Sequence, residues 1–169
     1  RWLDEALRLI ARLTDGPLVV IGSSMGGWIA LHVALRRPHR VRGLIGIAPA
    51  PVFTEWGYSD EDKLKLVAEG RIEQDNPYGG EPQLTTRGFW ESGEANRLMH
   101  GPIDLGVPTR LIHGPGDPDV PWERSIALAD HIRSDDVQTV LVKDGDHRLS
   151  RPQDIALILH AIEDVSTPA

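Results

Sequence analysis

The sequence contains no cysteine, which excludes a disulfide framework, a cysteine-ligated zinc site and a thiol nucleophile. No apolar run approaches the roughly 20 residues that a helix needs to cross a bilayer, and the N-terminus carries no signal-peptide pattern. Positive charge is in short supply. Lys and Arg number 18 against 25 Asp and Glu, and the resulting net charge of −7 argues against nucleic acid or an acidic membrane surface as the main partner. Aromatic residues make up only 5%, and Trp56, Tyr58, Tyr78, Phe89 and Trp90 place most of them in one stretch. Internal repeats and low-complexity tracts are absent. What remains is a chain of 169 residues, 40% hydrophobic and 25% charged, the composition of one globular domain with its own core.

The pattern of apolar residues predicts helix, strand, helix, strand, a long irregular stretch, then strand, helix, strand, helix. Leu3, Leu7, Ile10 and Leu13 recur at helical spacing, a face expected to pack on a sheet, and Asp15-Gly16-Pro17 breaks that helix. The strands are expected at 17–21, 41–48, 109–113 and 137–142, and further helices at 28–37, 123–133 and 151–165. Ser150 with Gln153 reads as the capping box of the last helix, with Pro152 in its first turn. Alternation of this kind argues for a parallel α/β sheet with helices on both faces. Residues 50–105 show no strand pattern. They combine a short charged helix at 61–69, a Pro/Gly-rich patch at 76–82 and a helix near 84–99. A long insertion after a strand's carboxyl end is where an α/β enzyme keeps a lid. Its rings, Trp56, Phe89 and Trp90 among them, serve either as substrate contacts or as the insertion's own small core.

One run carries most of the chemistry. Val19-Val20-Ile21-Gly22-Ser23-Ser24-Met25-Gly26-Gly27 reads as a buried strand breaking into a sharp turn that opens a helix. Gly22 and Gly26 flank Ser24 at two residues on either side, giving G-x-S-x-G, in which a strained turn needs neighbours without a Cβ. This geometry exposes the Ser24 hydroxyl above the carboxyl end of the sheet. The Met25 amide, at the start of the helix, then faces the same space and can hold an oxyanion. A dinucleotide-binding loop would need glycine where Ser24 stands; an ordinary αβ turn with an incidental serine is the duller alternative.

A serine needs a base, and the base needs a partner that fixes its tautomer. His113-Gly114-Pro115-Gly116-Asp117-Pro118-Asp119-Val120-Pro121 follows the third strand, placing Asp117 just past a carboxyl end. Asp119 is better placed to shape the next helix. The loop after the fourth strand, Lys143-Asp144-Gly145-Asp146-His147-Arg148, supplies His147. Asp146 is too near in sequence to orient its neighbour's ring. His113, at a strand end, is in a position to contact the site but is read as structural; His32, His39, His100, His131 and His160 fall on helices or loops. The order Ser, Asp, His over three loops at one sheet edge matches an acyl-transfer triad of Ser24, Asp117 and His147.

At these residues the chain resembles the α/β-hydrolase superfamily. Gly22-Ser23-Ser24-Met25-Gly26-Gly27-Trp28, Ile45-Gly46-Ile47-Ala48, Leu111-Ile112-His113-Gly114 with Val120-Pro121-Trp122, and Asp146-His147-Arg148 are together similar to one subgroup. That subgroup comprises the palmitoyl-protein thioesterases that also cleave acyl glucuronides, and their bacterial relatives. The resemblance implies Ser24 as nucleophile, His147 as base and Asp117 as orienting acid, acting on acyl thioesters or esters with no metal or cofactor. The expected fold is the C-terminal part of an α/β-hydrolase domain over residues 1–169, with about four parallel strands flanked by helices and a lid-like insertion at 50–105. Members of this superfamily carry several strands before the point where Arg1 stands, and the loop after the third of them supplies a second oxyanion donor. The chain is therefore expected to begin partway into a larger fold, with Val19–Ile21 at an exposed apolar edge and weak activity of the isolated piece. Partners are expected to be a small-molecule or acyl-protein (thio)ester, with no nucleic acid and no membrane span. The preference for Arg over Lys reads as bacterial and cytoplasmic, whereas a eukaryotic member would be mitochondrial. A general small-ester carboxylesterase and a non-catalytic binding protein on the same fold are the alternatives.

Overall fold

The computed structural model describes residues 1–76 and 79–167; Tyr78, counted above among the aromatics, lies outside them. The elements in chain order are α1 (Trp2–Leu13), β1 (Leu18–Ser23), α2 (Met25–Arg36), β2 (Val41–Ile47), α3 (Phe53–Trp56), α4 (Asp60–Glu69), β3 (Arg71–Gln74), β4 (Gln83–Thr86), α5 (Arg87–Ala95), β5 (Ile103–Asp104), β6 (Thr109–His113), α6 (Glu123–His131), β7 (Ile132–Arg133), β8 (Val137–Leu141) and α7 (Pro152–Ser166). They form two compact units, Arg1–Pro51 with Gly101–Ala169, and Val52–His100.

The first unit is built on a parallel sheet in the order β1-β2-β6-β8. Its inner strands read Val-Arg-Gly-Leu-Ile-Gly-Ile and Thr-Arg-Leu-Ile-His, and β6 is buried at every position, as expected of strands covered on both faces. α7 packs on β1, β2 and β6, α2 on β1 and β2, and α6 on β6 and β8. Ile45, Ile112, Leu149, Ala161 and Val165 form a buried cluster that welds α7 to the sheet. Gly43 lets α7 approach, since a Cβ there would lie 2.9 Å from the Val165 side chain. The buried Arg110 reaches out of β6 into a bidentate pair with the half-exposed Asp136, at 2.8 and 2.9 Å, and also donates to Asp164 on α7. All four strands run the same way, so their carboxyl ends, and the loops that follow them, lie at one edge of the sheet.

β1 is an edge strand in this sheet, and Ile21 on it is 46% exposed. α1 departs from the expectation that its apolar stripe packs on a sheet: it packs chiefly on α2, with Leu3 buried and Leu13 74% exposed. α6 also stops two residues early, because Ile132–Arg133 turn extended and pair in parallel with Ile103–Asp104.

The second unit corrects the reading of 50–105 as strandless. β3 and β4 pair antiparallel, from Arg71 opposite Thr86 to Gln74 opposite Gln83. With one apolar residue each, Ile72 and Leu84, neither segment shows a hydrophobic alternation strong enough to announce a strand. α4 opens on a capping box in which Ser59 and Asp62 exchange bonds at 3.1 and 3.0 Å, and it ends on Gly70 in the left-handed conformation. α5 is shorter than expected, starting at Arg87 under a Thr86 cap. Among the described residues no helix is long and apolar enough to cross a membrane.

Candidate active site

The elbow is local. β1 ends at Ser23 and α2 begins at Met25, so Ser24 alone makes the turn, with φ 53° and ψ −124°. An L residue is rarely found there without surrounding constraints. Here the constraints are backbone bonds: the Ser24 amide donates to the Ile47 carbonyl at 2.9 Å, and the Ser24 carbonyl accepts from Gly27 at 2.9 Å and Ala50 at 3.0 Å. The turn is tight enough that a Cβ on Gly22 would lie 2.1 Å from the Gly26 carbonyl oxygen. A Cβ on Gly27 would lie 2.6 Å from the Pro49 side chain. Gly26 is different from the sequence expectation, because its Cβ would meet nothing within 4 Å. The close approach is demanded of Gly22 and Gly27. Met25 is the first residue of α2, so its amide belongs to the helix-opening donors that lack an intrahelical acceptor.

The loop that carries Asp117 follows β6. Asp117 has a fully buried side chain, and each of its oxygens is committed. Oδ1 accepts from the amides of Asp119 at 2.8 Å and Val120 at 2.9 Å. Oδ2 accepts from two imidazoles, His147 Nδ1 at 2.8 Å and His113 Nε2 at 3.1 Å. Burial alone would raise the carboxyl pKa, but the Val120 amide, the His147 ring and the Asp119 amide outweigh it and hold it below the usual carboxylate range. Asp117 is therefore an ionised acceptor whose orientation is set from four sides.

His147 sits in a loop held at both ends by left-handed residues, Asp144 at φ 57° and Leu149 at φ 45°. Asp146 caps that loop from within, Oδ1 accepting the amides of Arg148 and Leu149 at 3.1 and 2.9 Å, and leaves the ring to Asp117. Because Asp117 is an acceptor, His147 Nδ1 carries a proton, and Nε2 is the basic nitrogen. The Asp117 and His147 loops meet backbone to backbone: a Cβ on Gly114 would lie 2.1 Å from the Gly145 carbonyl oxygen, and the Gly116 amide donates to that oxygen at 3.1 Å.

The start of α7 anchors the His147 loop. The Arg151 guanidinium straddles the buried Asp154 carboxylate, Nε to Oδ2 at 2.8 Å and Nη2 to Oδ1 at 2.9 Å, and reaches back to the Asp144 carbonyl at 3.1 Å. The Arg151 amide also donates to Asp154 Oδ2 at 3.1 Å. The helix is thus opened by Arg151 and Asp154, not by Ser150 and Gln153. Ser150 precedes the N-cap, and the carboxylate at Asp154 is the better reciprocal acceptor.

Asp117, Asp119 and His147 bring potential metal-ligand atoms within 4.8 Å of one another. With both Asp117 oxygens occupied by four N–H donors, the group reads as a hydrogen-bonded set. Trp56, Phe89 and Trp90, the expected substrate contacts, all lie in the second unit. Phe89 packs against Phe53 with ring centroids 5.7 Å apart, and the indole nitrogens of Trp56 and Trp90 are buried with no hydrogen-bond partner. His113 is the residue that sequence reading undervalued. It was visible at a strand end, but nothing in the pattern marked it as a partner of Asp117.

Residues 1–71 match the α/β-hydrolase fold family, and the chain belongs to that family. Within it the chain is similar to the mitochondrial palmitoyl-protein thioesterase ABHD10 of Homo sapiens, 36% identical across 98% of this chain and 55% of that protein. It thus spans little more than half the length of that relative. A putative hydrolase from Agrobacterium vitis S4 has a TM-score of 0.91 at 42% identity, covering 98% of this chain and 67% of that one. The mouse alpha/beta hydrolase domain-containing protein 10 has a TM-score of 0.87 at 35% identity, covering 97% of this chain and 67% of that one.

Proposed function

We propose that this chain carries the catalytic triad of a serine hydrolase that cleaves acyl thioesters or carboxylic esters, with long-chain protein thioesters as the preferred class. The observation that carries this reading is the pairing of two features at one sheet edge. Ser24 occupies a strained single-residue turn between strand and helix, and His147 Nδ1 is locked to a buried, ionised Asp117 at 2.8 Å. A serine on a strained strand-to-helix turn and an imidazole oriented by a buried carboxylate are two of the features that an activated hydroxyl needs. Similarity to proteins named as palmitoyl-protein thioesterases supports the substrate class.

In the first step the Ser24 hydroxyl oxygen attacks the carbonyl carbon while its proton passes to His147 Nε2. Asp117 stabilises the imidazolium without taking the proton. The Met25 amide holds the developing oxyanion. Collapse of the intermediate expels the thiol or alcohol, which leaves with the proton from His147 Nε2. Water then attacks the acyl-Ser24 ester while His147 Nε2 accepts its proton; the bond from the acyl carbon to Ser24 Oγ breaks as Nε2 returns that proton to Oγ, releasing the carboxylic acid.

A fluorophosphonate probe tests the reading in the full-length protein. Covalent labelling that disappears in Ser24→Ala is expected, together with a fall in kcat of at least about 10⁴-fold. Absence of labelling in the wild type would favour a non-catalytic binding protein and end this proposal. A series of thioesters and oxygen esters of rising acyl length then separates a long-chain thioesterase from a general carboxylesterase.

A further inference from the structure

β6 delivers a second histidine to the acid. His113 has a side chain with no exposure, and its ring meets three polar groups. Nε2 lies 3.1 Å from Asp117 Oδ2 and 3.1 Å from the Val120 carbonyl oxygen, while Nδ1 lies 2.7 Å from Ser125 Oγ. Both groups at Nε2 accept only, so Nε2 must carry a proton. Burial pushes the ring's pKa down, more than the Val120 carbonyl and Asp117 raise it, so the ring is neutral near pH 7. A neutral ring with its proton on Nε2 has an acceptor at Nδ1, and the Ser125 hydroxyl must therefore donate to it. The tautomer follows from the partners without freedom of choice.

We infer that His113 is a positioning residue of the proposed reaction, acting on the triad's acid through the same carboxylate oxygen that receives the proposed base. The inference rests on the serine-hydrolase reading given above. Asp117 Oδ2 accepts His113 Nε2–H and His147 Nδ1–H together, and Oδ1 accepts two backbone amides. The amides hold one oxygen, and His113 holds the other in the place where it receives the base. Val120 closes the arrangement, its amide on Asp117 Oδ1 and its carbonyl on His113 Nε2. Ser125 on α6 fixes the far side of the ring. Without His113, Asp117 would keep its amides but lose the second fixed point of its carboxylate plane. The imidazole it orients would then sample unproductive directions, and displacements of about 1 Å cost on the order of 100-fold in rate.

Two amide substitutions divide the ring's contacts. His113→Gln places an amide N–H near the Nε2 position, keeping the donor to Asp117 while giving up the acceptor for Ser125. His113→Asn reaches only the Nδ1 position, so an amide oxygen there accepts from Ser125 and nothing donates to Asp117. Steady-state kinetics of the full-length protein are measured beside thermal stability for both. The expected result is a kcat of His113→Gln within about threefold of wild type, and a kcat of His113→Asn lower by about 10- to 100-fold at unchanged KM. A purely structural residue would instead give losses that follow thermal stability, with no rescue by glutamine. The inference is overturned if His113→Asn keeps wild-type kcat, or if His113→Gln falls as far as His113→Asn. Ser24→Ala assayed in parallel separates the two levels: turnover that survives Ser24→Ala sinks the hydrolase reading itself, whereas Ser24-dependent turnover with either adverse His113 result sinks only the positioning role.

Discussion

The two halves of the candidate site are assembled in different ways. The nucleophile half is contiguous, with Gly22, Ser24, Met25 and Gly27 within six residues and their geometry set by one turn. The acid–base half joins loops 30 residues apart in sequence, and its defining contacts, Gly114 against Gly145 and Asp117 against His147, cross between them. Contiguity lets local backbone strain do the positioning, whereas the divided half needs a close backbone contact and a carboxylate saturated with donors. The nucleophile half should therefore fail when its own turn, or the Ile47–Ala50 backbone that clamps it, is disturbed. The acid–base half should be sensitive to residues well away from the reacting atoms.

The largest effects are expected where backbone meets backbone. Gly22→Ala and Gly114→Ala would each drive a Cβ to 2.1 Å from a carbonyl oxygen, Gly26 O and Gly145 O respectively, so the chain must move in both cases. Each is expected to lower kcat/KM by about 100-fold or more and to cost about 2–4 kcal/mol of stability, read by kinetics and denaturant titration. Gly26→Ala is the control inside the same motif. Its Cβ meets nothing within 4 Å and it lies in the first turn of α2, so stability should hold or rise by up to about 1 kcal/mol. A collapse of Gly26→Ala comparable to that of Gly22→Ala would refute the one-sided account of the turn.

A smaller effect is expected from the anchor beneath the base loop. Arg151→Lys keeps a positive charge beside Asp154 but loses the fork that spans both carboxylate oxygens and the Asp144 carbonyl. Turnover should drop by about fivefold at unchanged KM, with His147 still present and Ser24 still labelled by a fluorophosphonate. Loss of labelling without loss of folding would mean that Arg151 controls more than loop position.

This division also explains what the sequence disclosed. Ser24 announced itself because its strain is encoded by neighbours in the chain, and Asp117 and His147 followed because the carboxyl ends of parallel strands collect at one edge. Gly145 carried no such mark: a glycine in a loop looks the same whether it turns the chain or receives another loop's backbone. His113 was visible at the end of β6, but its role depends on a hydrogen bond to Asp117 that no spacing rule states. Gly26 fitted a motif for which its own geometry shows no steric need. The β3–β4 hairpin was missed because short, polar strands are held by their ladder and leave little hydrophobic signal. Arg151 displaced Ser150 at the start of α7 because Asp154 accepts both the amide and the guanidinium.

The finest distinction concerns protons. Burial lowers the pKa of His113 below the 6.5 of a free imidazole, so the folded chain keeps this ring neutral where the unfolded chain begins to protonate it. With more protons bound to the unfolded state, stability falls as pH drops, and the full contribution is present only above about 6.5. Asp117, His147 and the Ser125 hydroxyl are the groups around the ring and the acid it contacts. Asp117, its carboxyl held down, stays ionised throughout this window, and its own contribution is lost only as pH falls further, through its folded pKa. Denaturant titrations of wild type and His113→Gln between pH 7.5 and 5 isolate the ring, because other groups cancel in the difference. The wild type should lose stability more steeply, by at most about 1.4 kcal/mol per pH unit. Parallel slopes would mean that the ring takes up its second proton as readily in the folded chain as in the unfolded one, and is doubly protonated in the folded state at the acid end of the range. It would then have no acceptor for the Ser125 hydroxyl proton, and the bond between them would have to run the other way.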